Sequence, residues 1–427
     1  MRYRPIEEIA EPIGRDKISF STLMPWRVYS ILLVSSIYDS FTFEEDGNLT
    51  EMLISEYLEL NLSYTPVIHR VSTAKQAIDR IMTDPPDLVI SMPRVGDMDV
   101  FEFGQKIKEL QPALAVMLLA YDTRELNYLK SKHLENSIDR IFVWQGDARL
   151  FLAIIKLVED YRNAEFDAAA AGVKVILLIE DSIRFYSAYL PTLYTEIMEQ
   201  TRVLMVDGAN RMQKMMRMRA RPKIILATTY EEGDQIWRQF GDDVLGIITD
   251  VRFPKNDEVT ADAGYQFSQM ARAADPRIPI LMQSTESTHK LAAINAGIAF
   301  INKNSPTLLR RLRDFLRGYL GFGEFQFRHP SGAIISSAQN LRELARQLKT
   351  IPDESVILHA KRNDFSTWLM ARTEFDLAKA IRPIQPDEFE SISKLRTFLL
   401  TTIDTYRHKV RAGIVEEFSA ESFEGNT

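Results

Sequence analysis

No cysteine occurs among the 427 residues. Its absence excludes disulfide frames, thiolate nucleophiles and cysteine-ligated metals, and leaves methionine oxidation as the one redox chemistry of sulfur. A signal core is missing too, because the first residues, "MRYRPIEEIAEPIGRDK", hold no apolar stretch. No apolar run reaches the roughly 18 residues that span a bilayer. Positive charge is in deficit, with 52 Lys and Arg against 59 Asp and Glu and a pI near 5.6. That balance argues against a general binder of nucleic acid or anionic membrane. No GxxxxGK[ST], no HExxH and no adjacent glycine pair is present, which removes the usual phosphate cradle and zinc helix. What remains is 45% hydrophobic and 26% charged, the composition of a globular chain with roughly two or three domain cores. The cytoplasm is the expected location.

Residues 1–26 are polar, punctuated by Pro5, Pro12 and Pro25, and read as an arm. From "RVYSILLVS" onward, short apolar runs alternate with helical patterns: "TPVIHRV", "DLVISM", "LAVMLLAY" and "DRIFVWQ" are the later strands of a first unit, 27–163. "RELNYLKSK" is one of its helices. After "AEFDAAAAG", expected as a linker over 164–172, the cycle restarts with "KVILLIED", "KIILATT", "VLGIITD", "IPILMQS" and "AFINK" in a second unit, 173–321. This is an α/β pattern written twice, predicting two tandem parallel five-stranded sheets with helices on both faces. From 322 to 427 the strand signal fades, and an all-helical C-terminal region is expected, with Asn340, Asp364 and Ser391 as N-caps.

In a doubly wound sheet the binding crevice lies at the carboxyl ends of the strands. There the second unit sets Glu180 and Asp181 after its first strand, Asp250 at its third, Ser284 at its fourth and Lys303 at its fifth. Clustered carboxylates with oxygen-only chemistry suit a hard cation such as Mg²⁺. A carboxylate beside it can act as nucleophile toward a phosphoryl group. Lys303 and the Ser284 hydroxyl can meet the transferred oxygens. Each residue alone also has a plain structural reading, as a helix cap, a turn residue or a solvated lysine.

The set as a whole resembles the receiver domain of two-component response regulators, through "LLIEDS", "IITDVRFP" with Pro254, "ILMQST" and "AGIAFINKN". The resemblance implies a flavodoxin-like (β/α)5 fold with Asp250 as phosphoacceptor. It further implies Mg²⁺ held by Glu180, Asp181, Asp250 and the Arg252 backbone carbonyl, and a switch in which Phe300 follows Ser284. The implied partners are a histidine kinase or small phosphodonor, with a second copy of the chain docked through the switch surface. The implied chemistry is self-phosphorylation and dephosphorylation without a metabolic activity. One departure is the long segment between the acidic pair and the second strand. It carries Met198, Met205, Met212, Met215, Met216 and Met218 with Arg211, Lys214, Arg217, Arg219, Arg221 and Lys223. It reads either as an adaptable partner surface or as an elongated first helix from Ser182 to about Arg219, with methionines in the core and a solvated cationic side.

Aligned on the same strands, the first unit has Ser35 and Ser36 for the acidic pair, Met92 for the phosphoacceptor, Leu119 for the hydroxyl and Trp144 for the lysine. A thioether accepts no phosphoryl group, so this unit is expected to be a pseudo-receiver, kept either for docking or to support its neighbour. In the tail, His359 beside Lys361, Arg362, Asp364 and Trp368 reads as a capping or core histidine, and His329 and His408 have no metal-ligand spacing. The order of two receiver-like units, a helical segment and "EEFSAESFEGNT" resembles the N-terminal regulatory region of bacterial proteins related to phosphoenolpyruvate synthase and pyruvate phosphate dikinase. That implies a downstream catalytic domain and assigns no residue here to its chemistry.

Overall fold

The structure is a computed structural model that describes residues 23–36, 49–60, 65–121, 137–206, 214 and 217–424, the side chains of 49, 50 and 411–424 excepted. Most of the expected arm, the "RELNYLKSK" helix, Arg211, Met212, Met215 and Met216 lie outside these residues.

The first unit runs β1 (Ser30–Val34), α1 (Leu49–Glu59), β2 (Val67–Val71), α2 (Ala74–Thr83), β3 (Leu88–Ser91), the short β4 (Arg94–Val95) and β5 (Met98–Asp99), α3 (Val100–Leu110), β6 (Ala115–Ala120), β7 (Arg140–Val143) and α4 (Arg149–Ala171). Its sheet is parallel in the order β2-β1-β3-β6-β7. The second unit repeats the plan with β8 (Val175–Ile179), α5 (Ile183–Val206), β9 (Lys223–Ala227), α6 (Tyr230–Phe240), β10 (Val244–Asp250), β11 (Phe253–Lys255), β12 (Glu258–Thr260), α7 (Ala263–Ala274), β13 (Ile280–Ser284), α8 (His289–Asn295), β14 (Ala299–Asn302) and α9 (Leu308–Tyr319). Its order is β9-β8-β10-β13-β14, so both sheets have the 2-1-3-4-5 winding of flavodoxin-like folds. The central strands β3, β8 and β10 are buried along their whole length, as strands covered on both faces must be.

The repeat extends to details. Thr73 caps α2 by accepting from Gln76 N, and Thr229 caps α6 by accepting from Glu232 N. After the third core strand each unit makes a small antiparallel hairpin, β4–β5 and β11–β12.

Residues 164–171, expected as a linker, are instead the last turns of α4, which ends at Gly172 in the left-handed conformation (φ 71°). The alanine run that reads as flexible in sequence is strongly helix-forming, and α4 packs on α1 of its own unit and on α5 and β9 of the next. Its buried polar residues serve both sides. Asp167, Asn163 and Glu159 accept the N–H groups of Met24, Trp26 and Val28 at 2.9, 3.0 and 3.2 Å. Four residues of helix rise about 6.0 Å and two of extended chain about 6.6 Å, which is why the spacings match. Toward the second unit, Asp160 holds Arg221 (2.7 Å) and Asp167 holds Lys223 (2.9 Å), all four side chains being almost fully buried.

The long first helix of the second unit is α5, with Met198 in the core. Its described residues run to Val206, and Lys214 and residues 217–219 are helical as well. Of the cationic side expected to be solvated, Lys214 is exposed, but Arg221 and Lys223 are buried against α4 and Arg217 pairs with Glu374 at 3.2 Å.

The C-terminal region is helical from Leu341 on: α10 (Leu341–Leu348), α11 (Asp353–Lys361), α12 (Asp364–Ala371), α13 (Phe375–Ile381) and α14 (Ile392–Glu424). It is preceded by an antiparallel hairpin, β15 (Phe325–Arg328) and β16 (Ile334–Ala338), which corrects the all-helical expectation. Two strands of four and five residues are too short to give a period-2 signal that stands out from a loop. Asn340 caps α10 as expected, accepting from Glu343 N, and the Ser391 hydroxyl accepts from Lys394 N at the start of α14. The residue capping α12 is Asn363 (φ 62°) rather than Asp364. Asp364 instead bonds His359 Nδ1 at 2.7 Å, while His359 Nε2 accepts from Arg328 N at 2.8 Å among Phe325, Phe327 and Phe365.

This region docks on the second unit at the end of the sheet away from Asp250. Arg382 pairs with Asp275 before β13 (2.6 Å), and the Arg382 carbonyl accepts from the Arg277 guanidinium (2.9 Å). Gly321, at φ 77°, lets the chain pass Trp368 so closely that a Cβ would lie 2.5 Å from its Cα.

Candidate acidic site

The side chains come together because each strand of the second sheet ends at the same level. Glu180 follows β8, its N–H donating to Ala227 O of β9 at 3.0 Å. Lys303 follows β14, its N–H donating to Ser284 O at 2.8 Å. Asp250 closes β10.

Lys303 Nζ lies 2.6 Å from Asp250 Oδ2, and 2.6 and 2.8 Å from the two Glu180 oxygens. It also sits 4.5 Å from the centre of the Phe185 ring. Glu180 and Lys303 are buried and Asp250 is 9% exposed, so the charges face one another out of water. Asp181 is half-buried. Glu180, Asp181 and Asp250 each offer an oxygen within 4.8 Å of the others. Burial pushes the Glu180 carboxyl up to about 8, with Lys303 pulling it down and Asp250 adding to the rise. Hydrogen bonds fix the other carboxylate oxygens: Asp250 Oδ1 accepts from Val251 N (2.7 Å) and Glu180 Oε1 from Ser182 N (3.2 Å).

Ser284 ends β13, one residue beyond Gln283, the register partner of Asp250. The Ser284 hydroxyl is buried and accepts from Glu286 N at 3.1 Å. Phe300 lies on the edge strand beside Met282, half-buried. Arg252 occupies the turn between β10 and β11, and its guanidinium leaves the site to bond Glu286 at 3.1 Å. α7 leans directly on the strand end: Gly264 N donates to Val251 O (3.0 Å), and a Cβ on Gly264 would lie 2.1 Å from Asp250 O.

One polar residue of the site escapes the motif reading. Gln283 is fully buried and donates from Nε2 to Glu180 Oε2 at 3.3 Å. The only sequence signal is a carboxamide in the otherwise apolar run "IPILMQ".

In the first unit Ser35 stands where Glu180 does, its N–H donating to Val71 O. Ser36 is half-buried beside it. Ser91 Oγ donates to Met92 O (3.0 Å) as Thr249 Oγ1 donates to Asp250 O (2.8 Å), which fixes Met92 as the counterpart of Asp250. Trp144, packed on Phe151 at 5.6 Å, replaces Lys303. The hydroxyl position is Ala120, not Leu119. Trp144 N donates to Ala120 O as Lys303 N does to Ser284 O, and Leu119 is one residue short in register, facing the other side of the sheet.

Among the described residues no helix is long and apolar enough to cross a membrane. Residues 324–424 match a protein family of unknown function, DUF5752, whose span opens at the β15–β16 hairpin and ends with α14. No curated protein matches the chain. Solved structures similar to it include a probable two-component system response regulator/GGDEF domain protein, at 15% identity and TM-score 0.30, covering 68% of this chain and 99% of that one. The signal receiver domain of an HD domain-containing protein from Pseudomonas fluorescens Pf-5 aligns at 21% identity and TM-score 0.24, covering 33% and 94%. NtrX from Brucella abortus aligns at 11% and 0.25, covering 88% and 83%. With TM-scores below 0.5 these likenesses carry no weight; the winding of the sheets and the geometry of the acidic site do.

Proposed function

We propose that the second unit is a phosphoryl-accepting receiver and that the chain is a module of two-component signalling, with Asp250 as acceptor. The observation that carries this reading is the Lys303 ammonium held at 2.6 Å by both Glu180 and Asp250 at the carboxyl end of a 2-1-3-4-5 sheet. The donor set fits a hard divalent cation: three carboxylates with oxygens within 4.8 Å and no competing sulfur or imidazole. Glu180, Asp181 and Asp250 would hold Mg²⁺, together with the Arg252 carbonyl. When bound, it would offset the negative charge that carboxylates and phosphoryl oxygens bring together.

The remaining work falls to the chain. An Asp250 carboxylate oxygen forms the new bond to phosphorus while the bond from phosphorus to the donor breaks. The electron pair leaves with the donor, the imidazole of a histidine kinase or the acetate of acetyl phosphate, which takes a proton from solvent as needed. Lys303 stays paired to the acceptor side, and the Ser284 hydroxyl turns from Glu286 N toward the added oxygens. Phe300 then follows on the edge strand, and α8 and β14, where Leu291 and Ile294 are exposed, form the surface whose contacts change, including those with a second copy of the chain. The first unit takes no part in the chemistry and acts as a docked pseudo-receiver. The module has no metabolic activity and works in the cytoplasm.

The test is exposure of the whole chain to acetyl phosphate with Mg²⁺, read by intact mass. A gain of one phosphoryl group, absent in Asp250→Asn, is expected. No gain in the unaltered chain would make it a receiver-fold scaffold.

A further inference from the structure

The floor of the acidic site contains a polar group that the protein itself does not use. Gln283 Oε1 is buried and has no hydrogen-bond partner, although its amide nitrogen is engaged with Glu180. A flip of the amide would not help, since it would set two acceptor oxygens against each other. Leaving a carbonyl buried and unpaired is costly, and the preceding residues Ile280, Leu281 and Met282 of the strand are apolar and buried. An apolar residue of similar length would remove the penalty. The carboxamide therefore needs a reason to be there.

Two things are within its reach. Its N–H already donates to Glu180 Oε2, which fixes the direction in which that carboxyl points. Its carbonyl, at the same site, is an acceptor without a donor. A hard divalent cation retains several of its waters when protein carboxylates bind it, and such waters are donors in search of acceptors. We infer that Gln283 is a positioning residue for the cation: it orients the Glu180 carboxyl through Nε2, and its Oε1 acquires a partner only when a hydrated cation is bound. This rests on the reading of the site as a cation-dependent acceptor, and it adds to the carboxylates an outer group that sets their affinity. Partners of this kind typically alter metal affinity by about 10–100-fold when removed.

Calorimetric titration of the full chain with MgCl₂, beside thermal melting without metal, tests the assignment. Gln283→Met keeps the length and removes both polar atoms. Its Mg²⁺ dissociation constant should rise about tenfold, while the metal-free melting temperature stays level or rises because an orphan acceptor is gone. A merely structural glutamine would give the reverse pattern. Gln283→Asn, which keeps the amide but withdraws it by one methylene, should show the same loss of affinity and decides the matter alone if the methionine variant does not fold. Mg²⁺ affinity within twofold of the unaltered chain in either folded variant overturns the assignment. Absence of Mg²⁺ binding by the unaltered chain would overturn the cation-dependent reading itself, which the mass experiment on Asp250 examines separately.

Discussion

The two units of this protein share the winding of their sheets, the threonine caps of α2 and α6, their small hairpins and even the hydroxyl-to-carbonyl bond beside the third strand's end, yet differ at the charged residues of the second unit's site. Where the second unit has Glu180, Asp250 and Lys303, the first has Ser35, Met92 and Trp144, all buried. The same sheet thus stands with or without the charged residues, because they contribute little to its packing. Buried ions demand partners, whereas a methionine and an indole fill the same space by packing alone. The helix after the hairpin differs in the same sense. The second residue of α3 is Phe101, whose N–H is taken by the cap Asp99. The second residue of α7 is Gly264, whose N–H reaches the strand that carries Asp250.

The sharpest way to break this comparison is to move the carboxylate. Asp250→Asn should abolish phosphoryl uptake entirely, while Met92→Asp should restore none in the first unit, because Ser35, Ser36 and Trp144 still supply neither acidic pair nor lysine. The second substitution should also lower stability by about 3–5 kcal/mol, the penalty of an uncompensated buried charge. Intact mass after acetyl phosphate treatment and denaturant unfolding read the two effects. Phosphoryl uptake at position 92 would mean that the first unit is less degenerate than its packing suggests.

A comparable loss of stability is expected where the two units meet. Arg221→Met strands Asp160, which keeps Tyr194 and Ile224 N as partners but loses its counter-charge. About 3–5 kcal/mol should disappear, and the unfolding of both units should shift together because α4 belongs to both. Separate transitions would show that the units fold independently. Smaller still is Gly264→Ala. The added methyl meets Asp250 O, so α7 must move, at about 1–3 kcal/mol, and phosphoryl uptake should slow more than stability falls. The same exchange at a glycine with open space, Gly318, is the control.

Much of this was legible in the sequence because the signals were strong ones: apolar runs bounded by turns gave the strands, and charged residues at strand ends gave Glu180, Asp181, Asp250 and Lys303. Other features depend on contacts no local pattern contains. The alanine-rich stretch after Asn163 reads as a linker until the partners of Asp160 and Asp167 are known. The cations Arg221 and Lys223 read as solvated until α4 is seen opposite them. Leu119 was one residue out because β6 is apolar throughout, so nothing in its pattern fixes register. Gln283 was invisible because a single amide in a strand has no motif.

The junction of the units also carries the mildest expected effect, one of pH. Burial alone would raise the Glu232 carboxyl, yet the Arg140 guanidinium from β7, 3.0 Å away, and the N–H of Thr228 hold it below its ordinary 4.5. The folded state therefore binds a proton there less readily than the unfolded chain does. The resulting stabilisation is complete above about 4.5 and is lost as pH falls through the lowered folded value. Because Glu232 remains about a third exposed, the effect should stay within about 1 kcal/mol. Melting temperatures of the unaltered chain and Glu232→Gln, followed from neutral to acid pH, should converge as the carboxylate is titrated. Curves that run parallel would mean that Arg140 draws its hold on the second unit from Leu226 O instead, and that the ion pair is incidental to the junction.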